Sequence, residues 1–490
     1  MPPFIPTLRE IALLAILLTL LLTGSSKFKS SNINVADLTK IHSGATVVED
    51  ATGVSSPTFE HEFVLQQLSR PLKWGMGQVP ETDIIAHVPG WTIFDRLYIL
   101  NGTVYIVTDH PELVPDRALM TSKSIVIKNG PEEELKRRPT DKEMRIISTD
   151  EARQLFGTQA ERLDGVSWLV NDPKEFVTHY YHWSAELFFG LWRTYSSLDP
   201  SIPATGSTSL PIPRRMMFTH IDANNWRDYA SMNQFVLFSV FPSITMEFWN
   251  DWNERAAMGR PFVFDRVLFA DRAAAMHGTN FLKTQRTAAN AFALPGSVHW
   301  WQPIRNNVVN FAGLQDEEAQ IALKDESAQS APVITYVSRQ EWGRRMLIQE
   351  HHEKLVSELY KLRDKYGYEV NVVSMDRLTR QEQIRLAART TIMMGVHGNG
   401  LTSLLWMKPS PKSTVMEFFF PGGFAHDYEY TTRALGMVHY GFWGSQAFTR
   451  PDVPPVAYPE GFQGNNIPID GELVARIVHE RLTLQEEADD

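Results

Sequence analysis

The chain has 490 residues, 43% of them hydrophobic and 21% charged, so it is long enough for two globular domains with flanking segments. Its net charge of −10 and its lack of any Lys/Arg-dense run argue against a nucleic-acid partner, because binding to a phosphate backbone needs a basic surface. The absence of cysteine excludes disulfide bonds, thiolate metal sites and cysteine nucleophiles.

The first predicted element is the apolar run Ile11–Thr23, which is flanked by basic residues. It predicts entry into the secretory pathway, either as a signal anchor over residues 11–26 behind a cytosolic tail of residues 1–10, or as a cleaved signal peptide. Residues 27–60 are polar and predict a stem. We therefore expect a lumenal protein of the Golgi or endoplasmic reticulum membrane (type II), or a secreted one if the segment is cleaved.

Residues 61–315 show mainly strand signals, interrupted by one aromatic helix. Asn101-Gly102 lies between two apolar runs and predicts a hairpin turn. Residues 132–144 are charged and predict an exposed loop, whereas residues 174–196 predict an amphipathic helix. Further strands are predicted at residues 91–94, 216–219, 235–240 and 262–269.

Beyond the polar segment 315–330, strand and helix signals alternate regularly over residues 330–470. Strands are predicted at 333–337, 369–373, 391–396, 414–419 and 438–443, and helices at 342–366, 379–388, 401–407 and 427–435. This alternation is typical of a parallel, doubly wound sheet. Residues 471–490 predict a C-terminal helix and tail, and segment 315–330 is the expected domain boundary.

Ligands of doubly wound sheets lie at the carboxyl ends of the strands. The segment Gly395-Val-His-Gly-Asn-Gly-Leu-Thr402 occupies such a position, and its glycines allow a ligand to approach the backbone closely. The helix that follows would present free N–H groups to a phosphate. The alternative is an ordinary tight connection between a strand and a helix.

Several blocks of the sequence, most of them in this half, resemble glycosyltransferase family 61. They are Val396-His-Gly-Asn-Gly-Leu-Thr-Ser-Leu-Leu405, Ser413-Thr-Val-Met-Glu-Phe-Phe-Phe, Arg433-Ala-Leu-Gly436, Thr335-Tyr-Val-Ser-Arg-Gln340 with Arg344-Arg345, and Phe264-Asp-Arg-Val-Leu-Phe-Ala-Asp-Arg272. Asn399 and Ser403 depart from the usual family pattern, which has Ala and Asn there. The resemblance covers about residues 330–445 well and the N-terminal half in patches.

The resemblance implies a GT-B fold, in which two Rossmann-like lobes face each other across a cleft. Residues 61–315 would form the acceptor-side lobe and residues 330–470 the nucleotide-sugar-binding lobe. A leaving nucleoside diphosphate needs either a metal or fixed donors, and arginine matches phosphate geometry. The sequence contains no Asp-x-Asp pair, so no metal is expected. The expected donor-binding residues are Arg339, Arg344, Arg345, His397, Gly398, Asn399, Gly400, Leu401, Thr402 and Glu417.

Besides the glycine loop, the other expected donor-binding residues also have a structural interpretation, in which Arg339 would be a surface charge. At least one of Arg344 and Arg345 would be a surface charge. Glu417 lies in an apolar strand and would accept the ribose hydroxyls, or else occupy an exposed strand position. His397 would contact the donor, or else cap its strand by bonding to the backbone.

An inverting transferase also needs a base that takes the proton of the acceptor hydroxyl. His182 and Glu186 are four residues apart and hence share one helical face. They resemble the family's His-Phe-x-x-Asp block, with Glu in place of Asp. They are the predicted catalytic residues, and the alternative is that they bond to each other to anchor the helix. Weaker candidates for the base are Asp222, Asp228 and Asp271.

The sequence thus predicts an inverting, metal-independent glycosyltransferase. Its donor would be a UDP-sugar, with xylose or N-acetylglucosamine favoured by the resemblance, and its acceptor a glycan or glycoprotein. Closure of the two lobes would exclude water from the cleft. The alternative function is a catalytically inactive lumenal protein that binds a nucleotide or glycan on the same fold. A Rossmann dehydrogenase fits poorly, because the glycine loop lies late in the chain.

Overall fold

The structure is a computed structural model and describes residues 71–314 and 331–484. The predicted tail, anchor and stem, the domain boundary at 315–330 and the last residues of the C-terminal tail lie outside these ranges. Within these ranges no helix is both long enough and apolar enough to cross a membrane.

The described residues form two sheets, which we call the first and the second sheet. The strands of the first sheet are β1 (Leu72–Lys73), β2 (Asp83–Val88), β3 (Trp91–Asp95), β4 (Tyr98–Leu100), β5 (Thr103–Val107), β6 (Met144–Ile147), β7 (Gln159–Val170), β8 (Arg215–Phe218), β9 (Thr245–Glu247) and β10 (Phe262–Ala270). Those of the second sheet are β11 (Val333–Val337), β12 (Glu369–Val373), β13 (Thr390–Val396), β14 (Thr414–Phe418), β15 (Val438–Trp443) and β16 (Gln446–Phe448).

The described residues also form fourteen α-helices. They are α1 (Arg117–Met120), α2 (Pro131–Arg137), α3 (Thr149–Phe156), α4 (Lys174–Val177), α5 (Phe189–Tyr195), α6 (Met232–Val240), α7 (Trp249–Ala257), α8 (Arg272–Ala275), α9 (Thr279–Thr284), α10 (Gln302–Phe311), α11 (Gln349–Tyr366), α12 (Arg380–Arg389), α13 (His426–Ala434) and α14 (Gly471–Leu482). A π-helix spans His182–Phe188, and 3-10 helices span Pro111–Leu113, Ser196–Leu198, Thr287–Ala293, Met375–Arg377 and Asn399–Trp406.

The first sheet is mixed. Its main path runs β6-β5-β4-β10-β7-β8-β9, and β10, β7, β8 and β9 are parallel to one another. The predicted hairpin is confirmed, because β4 and β5 pair antiparallel across Asn101-Gly102. The carboxyl ends of the adjacent strands β7 and β10 lie side by side, with Val170 opposite Ala270. Residues that follow these two strands therefore meet.

The second sheet has the order β12-β11-β13-β14-β15-β16 and is parallel except for its last strand. This confirms the predicted parallel alternation of strands and helices. From β11 the chain passes first to β12 on one side and then to β13 on the other. The connection therefore changes direction between β11 and β13, which is where ligands of such sheets bind.

Three element predictions are wrong. Residues 235–240 belong to helix α6, which is buried on nearly every side and so lacks the polar face that would have revealed helical periodicity. Residues 131–137 form helix α2, with Pro131 at its start and an acidic first turn. The long helix predicted from Trp342 begins only at Gln349, so residues 338–348 form a loop.

One hydrophobic core continues from the first sheet to the second. It contains Trp168 and Leu268 on the side of the first sheet, and Val337, Met393 and Val415 on the side of the second. The described residues accordingly fall within one compact unit, 67–490. The other face of the second sheet packs separately against α11 and α14.

Candidate active site

Two arginines meet the glycine loop where β11 and β13 end. A Cβ atom built on Gly398 would lie 2.7 Å from Nη1 of Arg339 and 3.5 Å from Nη1 of Arg345. We call Arg339 and Arg345 the arginine pair. They follow β11, whereas Gly398 follows β13, so the direction change of the sheet brings them together.

The arginine pair carries positive charge without a carboxylate partner among the described residues. Burial, followed by the charge of Arg345, lowers the pKa of Arg339 to about 10, and burial also lowers the pKa of Arg345. Arg345 donates from Nε to Gln463 Oε1 at 2.6 Å and from Nη1 to the His397 carbonyl at 3.3 Å. Two partly buried cations beside a glycine loop are suited to bind an anion.

Arg344 is placed differently from its neighbour. It is exposed, and the loop that carries it precedes helix α11 instead of forming its first turn. This agrees with the alternative that one member of Arg344-Arg345 is a surface charge. Arg345 is the member that reaches Gly398.

The glycine loop leads into the 3-10 helix Asn399–Trp406. Leu401 and Thr402 are each 1% exposed, so their side chains face the core and cannot contact a ligand. Asn399 and Gly400 are partly exposed, and the first amides of a helix lack helical acceptors. The backbone N–H groups at this end of the loop are therefore further donors for an anion bound at the arginine pair.

A cavity of about 400 Å³ opens at the carboxyl ends of β11 and β12. Its lining includes Ser338, Val373, Ser374 and Arg377. Ser338 directly precedes Arg339 in the chain, although neither member of the arginine pair lines the cavity.

Glu417 does not occupy an exposed strand position, so that alternative is wrong. It is 0% exposed, and its two oxygens are 2.5 Å from His397 Nδ1 and 2.9 Å from His439 Nε2. A carboxylate only accepts hydrogen bonds, so Nδ1 of His397 is the donor to Glu417. The His397 side chain is 12% exposed and lies 5.2 to 5.6 Å from the rings of Phe419 and Phe462. Glu417 therefore orients His397.

A second His–Glu pair lies at the first sheet. His182 and Glu186 occupy the π-helix, a form often found at functional sites, and His182 Nδ1 is 2.5 Å from Glu186 Oε2. The predicted contact between these two residues is thus present. The His182 side chain is 28% exposed, whereas that of Glu186 is 3% exposed.

Glu186 is the centre of a buried chain of alternating charges. Arg272 Nη1 lies 2.8 Å from Glu186 Oε2, and Asp172 accepts from the backbone N–H and Nε of Arg272. Asp172 follows β7 and Arg272 follows β10, the two strands whose ends lie side by side. On the other side, Arg286 Nη1 lies 3.9 Å from Glu186 Oε1 and 2.8 Å from Asp427 Oδ1. We call Asp172, Arg272, Glu186, Arg286 and Asp427 the ion-pair chain.

These surroundings make Glu186 a poor base. Burial alone would raise its pKa, but the charges of Arg272, Arg286 and His182 outweigh burial and hold the pKa well below its usual range. Both oxygens face cations, and the side chain has almost no exposed surface. Of the two predicted catalytic residues, His182 is the one that a substrate can reach.

The other candidate bases have structural roles. Asp271 is 1% exposed and accepts from the N–H groups of Ala274 and Ser122, and burial raises its pKa to about 6. Asp228 accepts from the N–H groups of Ala230 and Asn233. Asp222 is held in its own turn by Asn225.

Sequence reasoning missed Arg286 and Asp427. They are 141 residues apart, and no spacing rule pairs residues at that separation. One signal was available for Asp427. It lies in the first turn of a helix that follows a strand and a glycine turn, and ligand sites of parallel sheets lie at such positions. Among the described residues no group of three or more His, Asp or Glu side chains is arranged to hold a metal ion.

The Glycosyltransferase 61 family model matches residues 180–416. Residues 180–416 therefore form a glycosyltransferase family 61 segment. The match includes His182, Glu186, the arginine pair and the glycine loop, so the residues that converge in space are those of the family segment. Asp427 lies beyond its end. No curated protein matches the chain.

Proposed function

We propose that this family 61 glycosyltransferase is an inverting, metal-independent enzyme that moves a sugar from a UDP-sugar to a hydroxyl of a glycan or glycoprotein. The observation that carries the proposal is the arginine pair above Gly398, two partly buried cations without carboxylate partners in the described ranges. The resemblance favours xylose or N-acetylglucosamine as the sugar. We also propose the GT-B arrangement, with the first sheet on the acceptor side and the second on the donor side.

The second sheet supplies donor binding. The diphosphate would lie between the arginine pair and the amides of the glycine loop, and the nucleoside would enter the cavity beside Ser338. As the bond between C1 and the phosphate oxygen breaks, its electron pair moves to the diphosphate. Fixed guanidinium groups stabilise this charge without reorganising at the moment of reaction.

The first sheet supplies the base. The acceptor hydroxyl would give its proton to His182 Nε2 as its oxygen attacks C1 from the side opposite the diphosphate. Glu186 holds the His182 ring through Nδ1. The ion-pair chain beside His182 has three carboxylates and two guanidinium groups, hence one negative charge in excess.

The apolar run of residues 11–23 supports placing this reaction in the lumen of the Golgi or endoplasmic reticulum, with the chain anchored in the membrane or secreted after cleavage. The acceptor would then be a glycan or glycoprotein in the same compartment.

Calorimetric titration of the full chain with UDP, with and without EDTA, tests the donor site. We expect binding that survives EDTA and weakens about 10- to 100-fold in Arg339→Ala, because a hydrogen bond to a charged group contributes about 1.5–3 kcal/mol. Arg344→Ala, in the same loop but exposed, is the control and should bind like the wild type. Loss of binding in EDTA, or equal binding by Arg339→Ala, would contradict the proposal.

A second variant separates an enzyme from an inactive binding protein. His182→Gln should keep UDP affinity but lower sugar transfer about 10²- to 10⁴-fold, the usual contribution of a general base. If the wild type binds UDP but transfers no sugar from a panel of UDP-sugars, the chain is a nucleotide-binding relative without turnover.

A further inference from the structure

Neither the proposed donor site nor the proposed base uses the carboxylate of Asp427. It lies in the first turn of α13, and its side chain is 17% exposed. Oδ1 accepts from Arg286, whereas Oδ2 makes no hydrogen bond to any residue in the described ranges. One oxygen is therefore fixed and the other is available to a ligand.

Asp427 lies between the two His–Glu pairs, His182–Glu186 and His397–Glu417. The Tyr181 hydroxyl donates to the Asp427 carbonyl at 2.7 Å, and the Tyr181 ring lies 5.5 Å from that of His182. On the other side, the ring of Tyr428, the next residue, lies 5.5 Å from that of His397. Asp427 thus adjoins both the proposed base and the histidine of the glycine loop.

Asp427 is better suited to accept hydrogen bonds than to remove a proton. Burial would raise its pKa, but Arg286 and then His397 outweigh burial and lower the pKa below its usual value. A carboxylate that stays charged is a weak base and a strong acceptor for hydroxyl donors. Its ion pair with Arg286 also fixes the direction of Oδ2.

We propose that Asp427 binds hydroxyl groups of the transferred sugar and selects an uncharged sugar. This proposal rests on the proposed function, because the sugar must connect a diphosphate at the arginine pair with an acceptor oxygen at His182. A sugar carrying a carboxylate, such as glucuronate, would meet the excess negative charge of the ion-pair chain and be rejected.

The test compares UDP, UDP-xylose, UDP-N-acetylglucosamine and UDP-glucuronate by calorimetric titration of the full chain. We expect the wild type to bind at least one neutral UDP-sugar more tightly than UDP, and UDP-glucuronate more weakly. In Asp427→Asn, UDP affinity should stay within about twofold, while the advantage of the neutral sugar over glucuronate should fall about tenfold, since one charge and one acceptor are lost.

Two further variants keep the test decisive if Asp427→Asn is unstable. Asp427→Glu retains the charge and should still reject glucuronate, but it should bind the neutral sugar less tightly because the carboxylate is displaced by one methylene. Asp452→Asn, at an exposed position, should behave as the wild type. Equal changes for UDP and every UDP-sugar, or unchanged discrimination in Asp427→Asn, would overturn the proposal. Failure of the wild type to bind UDP would instead overturn the proposed function.

Discussion

At the scale of single residues, Glu186 combines almost complete burial with a full charge. Its three partners Arg272, Arg286 and His182 come from separate parts of the chain, so the carboxylate connects elements that are distant in sequence. Removing one partner from a buried ion pair leaves an uncompensated charge, which costs more than the pair contributes. The residue is therefore important for stability as well as for the orientation of His182.

We expect Glu186→Gln to lower the free energy of unfolding by about 3–5 kcal/mol, measured by urea denaturation. The folded pKa of Glu186 lies below its unfolded value of about 4.3, so its stabilisation is complete above that pH and is lost as the pH falls through the folded pKa. The acid-dependent loss of stability should accordingly be shallower in the variant. Glu175→Gln, exposed and at the start of the same helical region, is the control. Identical acid profiles for Glu186→Gln and the wild type would contradict this.

Gly398→Ala tests the arginine pair without removing a charge. The new methyl group would lie 2.7 Å from Nη1 of Arg339, the far end of a flexible side chain, so the guanidinium group should move while the fold is kept. Because Gly398 has a φ of +156°, which L residues rarely adopt, we expect a lowered melting temperature. The UDP affinity should be about tenfold weaker, as for the loss of a charged hydrogen bond. Gly259→Ala, a glycine with open space around it and positive φ, controls for backbone strain. Unchanged UDP affinity in Gly398→Ala would argue against diphosphate binding there.

At the scale of elements, helix α10 holds the end of the 3-10 helix that begins at the glycine loop. Arg305 Nε donates to the carbonyls of Trp406 and Met407 at 2.9 Å, and Trp301 Nε1 donates to the Leu405 carbonyl at 2.9 Å. Helix ends leave carbonyls without helical partners, and these side chains satisfy them. Helix α10 thereby fixes the element that positions the loop.

Arg305→Met should lower the free energy of unfolding by about 2–3 kcal/mol, because it leaves buried carbonyls without donors. It should also weaken UDP binding, since the 3-10 helix carries the loop at its other end. Both effects can be measured on one preparation by urea denaturation and calorimetry. Asn310→Ala, on the exposed side of α10, should change neither quantity. Weaker stability with unchanged UDP affinity would show that the loop is positioned independently of α10.

The elements also show how far sequence alone reaches. The alternation from β11 to β15 was predictable because strands buried on both faces are continuous apolar runs separated by amphipathic helices. Helix α6 was not, because a helix buried all round has no polar period to detect. Similarly, the contact of His182 with Glu186 could be predicted from their spacing of four residues. Arg272 and Arg286 lie 86 and about 100 residues from Glu186 in the sequence, so only the fold brings them into contact with it.

At the scale of the whole molecule, the continuous core makes a large rotation between the sheets unfavourable, in contrast to the expected lobe closure. We predict that saturating UDP leaves the radius of gyration unchanged in X-ray scattering. Loop 338–348 is bonded to the segment around Gln463 and Asn465, because Arg345 donates to Gln463 and Asn465 donates to the Gly343 carbonyl. We expect this loop and segment to show slower amide hydrogen exchange when UDP binds. A clear decrease in radius on UDP addition would support lobe closure.

The shared core also limits how the chain can be recombined. Trp406 donates to the Tyr180 hydroxyl, and Tyr181 donates to the Asp427 carbonyl, so each half supplies packing and bonding partners that the other needs. A hybrid that joins the first-sheet half of one homologue to the second-sheet half of another would bring together surfaces that were never matched. Breakpoints between the halves should yield few soluble hybrids, and exchange of donor preference should succeed by grafting loops.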